Sequence, residues 1–182
     1  MLTLLTLGIF GSMVATSIMT LYEIPFWRKW GLMGVFEWHE NQILSIKFFG
    51  ISHRVVQYRG IFFLHFLNGT LGGLLFPFVV TYLVNPHSMM LVALSGIVYG
   101  LLLWIITLVT IHKLITGLAV WNHPLGHYPA LVSLGGHVVY GFVLGFSDFS
   151  LICNLQYLAV ESTYRITFFV DTSALAVAYT SE

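Results

Sequence analysis

Four apolar segments, each long enough to cross a bilayer, constrain the fold of this chain more than any other feature. They cover about residues 2–24, 60–84, 89–111 and 129–150. A helix needs about 20 predominantly apolar residues to cross the roughly 30 Å hydrocarbon core. Only 8% of the residues are charged, against about 25% in a soluble domain, so much of the surface must face lipid. The sequence therefore predicts an all-α, polytopic membrane protein with a four-helix transmembrane bundle.

The connection between the first two spans, residues 25–59, holds five of the seven basic residues and three of the five tryptophans. Basic and aromatic residues together are typical of the headgroup zone. We therefore expect an interfacial amphipathic segment here, and a solvated cytosolic loop is the alternative. The second connection, residues 85–88, has no Lys or Arg. By the positive-inside rule, the first and third connections are expected in the cytoplasm and both termini outside.

The tail, about residues 155–182, is interrupted by Glu161, Arg165 and Asp171. A fifth span would bury Asp171 at a cost of about 2.5–3.5 kcal/mol, so the tail is expected on the outer surface or against another subunit. The chain is expected to form a single membrane domain over residues 1–182, multi-pass in the cell membrane. The expected partners of this apolar chain are lipid and other membrane subunits. Its seven basic and seven acidic residues balance, so no nucleic-acid partner is expected.

Small residues recur four positions apart in every span. The pairs are Gly11 and Ala15, Gly69 and Gly73, Gly96 and Gly100, and Gly141 and Gly145. Apolar side chains gain little by leaving lipid for protein, so close backbone approach must hold membrane helices together. We expect the three Gly pairs to lie in helix–helix contacts.

Three of the spans also carry longer motifs. Residues 95–104 read SGIVYGLLLW, residues 133–145 read SLGGHVVYGFVLG, and HFLNG at residues 65–69 is followed by Pro77. This pattern resembles a group of small four-helix polytopic membrane proteins of unknown function, whose third helix carries YGLLLW and whose fourth carries GHxxYGxxLG. The resemblance covers about residues 60–146. It implies the four-helix fold and no particular activity.

Histidine is the most informative polar residue, because the chain has eight, more than its Lys and Arg together. Glu23, His65, His112 and His137 are each expected to enter the bilayer from the cytoplasmic side. Polar groups at such depth cost several kcal/mol unless they are paired, so these four should face the bundle interior and one another. Imidazole binds zinc and copper and carries protons near neutral pH. The four residues are therefore the candidate ligands of a metal ion, while structural hydrogen bonding across helices is the more common alternative.

Glu37 and Glu40 lie three residues apart, on one face of a predicted helix, with His39 turned away. A solvated face of the interfacial helix is the favoured interpretation of this pair. A second set of ligands is the alternative.

No phosphate loop, dinucleotide fingerprint or catalytic triad is visible in the sequence. The lone Cys153 excludes an internal disulfide and a multi-cysteine zinc site. We therefore expect no catalytic activity of its own and a role as an accessory or structural subunit of a larger membrane complex, such as a respiratory or copper monooxygenase assembly. Its 16% of aromatic residues suit such helix contacts. The alternative is a metal-handling or proton-coupled transport protein that uses the buried His and Glu residues.

Overall fold

The computed structural model describes residues 1–50, 56–84, 88–117 and 123–151, and every regular element in these ranges is a helix. The main elements are α1 (Leu2–Trp30), α2 (Phe36–Phe49), α3 (Tyr58–Val84), α4 (Met89–Thr116) and α5 (Tyr128–Leu151). A short 3-10 turn, Leu32–Gly34, precedes α2. The predicted tail at about 155–182 and Cys153 lie outside the described residues.

Four of these helices, α1, α3, α4 and α5, are long and apolar enough to cross a membrane. They correspond to the four predicted spans, but two of them end later than predicted. Helix α1 runs to Trp30 instead of about residue 24, and α4 runs to Thr116 instead of about residue 111. The predicted interfacial segment therefore begins inside α1, and its helical part is α2.

Helix α1 continues past Pro25 because its last turns are held by packing. A proline inside a helix removes one hydrogen bond and bends the helix, but it need not end it when tertiary contacts compensate. The last two turns contribute aromatic rings to a core, and that core is formed by Val35, Trp38, Ile61 and Val132 with Phe26, Trp27 and Trp30 around it. The helix ends at Gly31, whose φ of 68° is readily adopted only by glycine.

Helices α3 and α4 are both irregular in their second halves. In α3 a turn precedes Pro77, which lies in the first turn of a short α-helical stretch, and the last five residues, Val80–Val84, form a π-helix. In α4 the α-helical part, Met89–Ile106, gives way to a π-helical stretch over Thr107–His112. π-Helical stretches are rare in proteins, and those that do occur often lie at functional sites.

The glycine pairs singled out in the sequence lie at contacts between helices. On α4 and α5, a Cβ added to Gly145 would lie 2.6 Å from the carbonyl oxygen of Val92, and one added to Gly96 would meet the carbonyl oxygen of Gly141. Gly100 and Gly141 face the same seam, between α4 and α5, while Gly69 and Gly73 lie against Thr16 and Ser12 of α1. Only residues without a side chain allow these approaches.

Two tyrosines connect α4 and α5 to the glycine-rich part of α3. Tyr99 donates a hydrogen bond to the carbonyl oxygen of Gly72, and Tyr140 donates one to that of Gly69, each at 2.6 Å. Helix α1 packs along α3, and α2 packs on α3 and on the end of α4. The polar face of α2 is thereby held against the interior of the bundle.

Candidate functional site

The buried face of α2 is largely polar. Glu40, Asn41, Gln42 and Ser45 are buried, and the side chain of Glu37 is only 16% exposed. The expectation that Glu37 and Glu40 form a solvated face was therefore wrong. Because Phe36 and Trp38 are buried on the same helix, α2 docks through aromatic anchors and carries both carboxylates inward with them.

Three carboxylates meet three imidazoles in this region. The pairs are His112 Nδ1 with Glu40 Oε1 at 2.7 Å, His137 Nδ1 with Glu37 Oε1 at 3.5 Å, and His65 Nε2 with Glu23 Oε2 at 3.6 Å. Each pair joins two different helices. In the part of the chain that the structure describes, carboxylate ion pairs are made with imidazoles and none with Lys or Arg. Each pair therefore sets a carboxylate against a side chain that is charged only when it is protonated.

Glu23 is the most deeply enclosed of the three carboxylates, with no exposed surface. Its Oε2 atom accepts a hydrogen bond of 2.6 Å from the indole Nε1 of Trp38. Its Oε1 atom has no hydrogen-bond partner among the described residues. One oxygen is thus fixed by α2, and the other remains available to a proton or a ligand.

The tautomer of His137 follows from its neighbours. Its Nδ1 atom lies 3.0 Å from the carbonyl oxygen of Ser133 and faces Glu37 as well. Both neighbours are acceptors, so Nδ1 carries the hydrogen. The hydroxyl of Ser133 donates a hydrogen bond to Glu37 Oε1. Two residues of α5 that lie one helical turn apart, Ser133 and His137, therefore hold the carboxylate of Glu37 in place.

Glu37, Glu40, His65 and His137 line a cavity of about 470 Å³. This volume lies within the range of small-molecule sites. Its polar wall is formed by Glu37, Glu40, Asn41, His65, Asn68, Ser133, His137 and Tyr140. Its apolar wall comes mostly from α4, with Leu103, Ile106, Leu108, Ile111 and Ile115. The two walls favour a ligand that has a polar end and an apolar end.

Burial shifts the pKa values of Glu40 and of two histidines near it. Burial raises the pKa of Glu40 from 4.5 to about 7, a rise that the hydrogen bond with His112 only partly opposes. Burial also lowers the pKa of His39, with smaller contributions from His123 and His112, and it lowers the pKa of His123. Glu40 can therefore bind and release a proton near pH 7.

The irregular part of α4 borders the cavity. Thr107, Leu108 and Ile111 of the π-helical stretch line it, and His112 at the end of that stretch is fully buried. The wider turn of a π-helix changes which side chains face inward. It places the imidazole of His112 beside Glu40 while the apolar side chains of the same turns face the cavity.

The predicted ligand set, Glu23, His65, His112 and His137, is buried as expected, but it is divided among three pairs. His65 meets Glu23, whereas His112 and His137 meet the two carboxylates of α2. Within residues 1–50, 56–84, 88–117 and 123–151, no group of three His, Cys, Asp or Glu side chains is arranged to hold a metal ion. Metal binding by the four residues stays a prediction.

Two residues of the site were not identified as such from the sequence. They are Trp38 and Ser133, whereas Glu37 and Glu40 were considered only as an alternative second set of ligands. The spacing of Glu37 and Glu40 was the available signal, because it places both carboxylates on one helix face. The direction of that face depends on the docking of α2.

Comparison with known proteins does not assign this chain to a family. No protein-family model matches this chain, no curated protein is significantly similar to it, and no solved structure matches its fold.

Proposed function

We propose that this protein is a multi-pass integral membrane protein in which α1, α3, α4 and α5 form a polytopic bundle. The exposed large apolar residues along all four helices support this, because lipid is the solvent that such a surface requires. The basic residues of the described chain, Arg28, Lys29, Lys47, Arg59 and Lys113, are all exposed near the same end of the bundle. This end is then cytoplasmic, and α2 lies at that interface with Lys47 and Phe48 outward.

We further propose that the cavity binds a small organic cation in exchange for protons, as a proton-coupled transporter does. The observation that carries this is that Glu37 and Glu40 both line the cavity and are both paired with imidazoles. A buried carboxylate without compensation is costly. An imidazolium or a bound proton compensates it in the empty state, and a ligand cation does so in the loaded state. Binding of the cation therefore releases protons.

The apolar wall narrows the ligand class to amphiphilic amines. Leu71 of α3 and Ile106 and Ile111 of α4 line the cavity and are also exposed. Leu71 and Ile106 lie well inside their spans, and Ile111 lies five residues before the end of α4. The opening between α3 and α4 would therefore reach the hydrocarbon region. A ligand that enters there must already be soluble in lipid, and its basic group can then reach the carboxylates of α2.

The role as an accessory subunit stays a prediction, because exposed apolar helix faces serve lipid and protein neighbours equally well. Metal handling likewise stays a prediction. The acidic cavity favours the proton-coupled alternative, since a purely structural subunit gains nothing from two buried carboxylates that face an open volume.

The test is ligand binding by the full chain in lipid nanodiscs. A dansyl-labelled primary amine is titrated at pH 6 and pH 8, with its N-acetylated, uncharged analogue as the control ligand. We expect the amine to bind more tightly at pH 8, because Glu40, with a pKa of about 7, is then ionised. If one proton is exchanged, the affinity changes by up to about tenfold per pH unit below the pKa. The uncharged analogue should bind weakly at both pH values.

Two variants make the test specific to the site. Glu40→Gln should weaken amine binding at pH 8 and remove most of its pH dependence. Lys47→Gln lies on the same helix but is exposed, and it should leave both unchanged. Equal affinity for the amine and its acetylated analogue would contradict the proposal.

A further inference from the structure

The exposed charges of this protein have one sign in the part of the chain that the structure describes. All five basic residues of this part are exposed, namely Arg28, Lys29, Lys47, Arg59 and Lys113. Its four acidic residues are enclosed instead, with at most 16% of the side chain exposed: Glu23, Glu37, Glu40 and Asp148. Within the described ranges no ion pair joins a Lys or Arg to a carboxylate. The described surface is therefore positively charged.

Two of these cations flank an aromatic contact between α1 and α3. The rings of Trp27 and Tyr58 lie 5.9 Å apart, with the edge of one ring towards the face of the other. Arg28 follows Trp27 near the end of α1, and Arg59 follows Tyr58 at the start of α3. The contact therefore brings the two arginines, which are 31 positions apart in the sequence, to the same part of the surface.

Two lysines extend this part of the surface. The Nζ atom of Lys29 lies 4.7 Å from the centre of the Trp30 ring, which is a cation–π contact. On α2, the hydroxyl oxygen of Ser45 lies 2.5 Å from the position that a Cβ of Gly60 would occupy, so α2 meets the start of α3 there, and Lys47 follows two residues later. The junction of α1, α2 and α3 thus carries four cations, which we call the basic surface: Arg28, Lys29, Lys47 and Arg59.

Large aromatic side chains are exposed beside these cations. Phe48 and Phe49 follow Lys47 at the end of α2 and are 75% and 59% exposed, and Tyr58, which precedes Arg59, is 47% exposed. At a membrane interface such rings enter the boundary between headgroups and acyl chains, while the basic groups meet anionic headgroups. A free phosphate ion would use the charges and leave the rings in water. The combination of charges and rings therefore fits a lipid.

We propose that the basic surface binds anionic phospholipids in preference to zwitterionic ones. The inference rests on the proposed membrane placement, which puts this end of the bundle at the cytoplasmic leaflet, where headgroups are the nearest anions. It does not involve the amine cavity. A Lys or Arg near an anionic leaflet contributes about a fivefold preference. Phosphatidylglycerol and phosphatidylcholine both carry a phosphate but differ in net charge, so a comparison of these two lipids with the same acyl chains isolates the effect of charge.

The experiment is tryptophan fluorescence of the full chain in vesicles of these two lipids, one of which is brominated near the headgroup, because bromine quenches a nearby indole. Trp27 and Trp30 flank Arg28 and Lys29 in the sequence and report the lipid at the basic surface. Quenching in mixtures of the two lipids gives their relative binding constant. We expect about a fivefold preference for phosphatidylglycerol at about 0.1 M salt. Most of this preference should be lost at about 1 M salt, where the Debye length falls from about 10 Å to about 3 Å.

Two triple variants assign the preference to these side chains. Arg28→Gln, Lys29→Gln and Arg59→Gln together remove three charges and should lower the preference by at least about twofold. Arg28→Lys, Lys29→Arg and Arg59→Lys together change the same positions but keep the charges, and this control should retain the preference.

Three results would overturn the inference: equal quenching by the two lipids at low salt, a preference that survives high salt, or a preference that survives the loss of the three charges. The salt dependence is measured on the unmodified protein, so the test does not depend on the folding of a variant. If neither lipid quenched the fluorescence, the membrane placement itself would be wrong. The failure of lipid selectivity is therefore distinguishable from the failure of the proposal on which it rests.

Discussion

The Nδ1 atom of His112 lies 2.7 Å from the Oε1 atom of Glu40, although 72 residues separate them in the chain. The contact joins the end of α4 to the polar face of α2, and Glu40 also lines the cavity. The Nε2 atom of His112 has no partner among the described residues. The pair therefore holds α2 against the end of α4.

The pH dependence of stability should report Glu40. Because its pKa in the folded protein is about 7 and its ordinary value is 4.5, the folded state binds more protons than the unfolded state between these values. Stability contributed by the neutral carboxyl is present below about pH 4.5 and is lost as the pH rises to about 7, by at most about 3 kcal/mol. Thermal unfolding in detergent should show this slope, and Glu40→Gln should flatten it. An equal slope in Lys47→Gln and Glu40→Gln would contradict the assignment.

The hydrogen bond from Trp38 to Glu23 should contribute more to the stability of the folded protein than the buried area of the indole ring. Trp38→Phe leaves the buried Oε2 of Glu23 without its donor and should destabilise the protein by about 1–3 kcal/mol, beyond the effect of lost ring area. Trp104 offers a matched control, because its Nε1 atom is buried without a partner among the described residues. Trp104→Phe should cost clearly less when both variants are melted in the same detergent. The reverse order would show that the bond to Glu23 contributes little.

Substitution of Gly145 should separate α4 from α5. Its Cβ position lies 2.6 Å from the carbonyl oxygen of Val92, in the backbone of the facing helix, which cannot move aside as a flexible side chain could. Gly145→Leu should therefore lower the melting temperature, with a cost of about 1–3 kcal/mol or more. Phe146→Leu changes an exposed neighbour and should have little effect. Equal melting temperatures for the two variants would mean that α5 can move away from α4 at this position without loss of stability.

The topology can be tested by labelling of single cysteines in a Cys153→Ser background. Ser88, before α4, and His127, before α5, are both exposed, and they lie at opposite ends of the bundle. A membrane-impermeant maleimide added to intact cells should label Ser88→Cys directly and His127→Cys only after permeabilisation. Labelling of both from the same side would contradict the four-span arrangement.

The sequence alone determined the number and approximate position of the four helices that are long and apolar enough to cross a membrane, because an apolar run of some 20 residues can satisfy its backbone in lipid only as a helix. It also singled out Gly96, Gly100, Gly141 and Gly145, since close backbone approach requires residues without side chains. The end of α1 could not be predicted in this way. Pro25 is a local signal for an ending, and the aromatic packing that overrides it comes from residues distant in the chain.

The orientation of α2 was decided only by tertiary structure. Helical spacing determines that Glu37 and Glu40 share a face, but both faces of α2 mix apolar and polar side chains, so the sequence does not indicate which one is buried. That choice depends on Trp38 reaching Glu23 and on Glu40 reaching His112, contacts that exist only once the four long helices are assembled. The same assembly divided the predicted cluster of Glu23, His65 and two further histidines into three separate pairs, because each imidazole is held on a different helix and meets the carboxylate nearest to it.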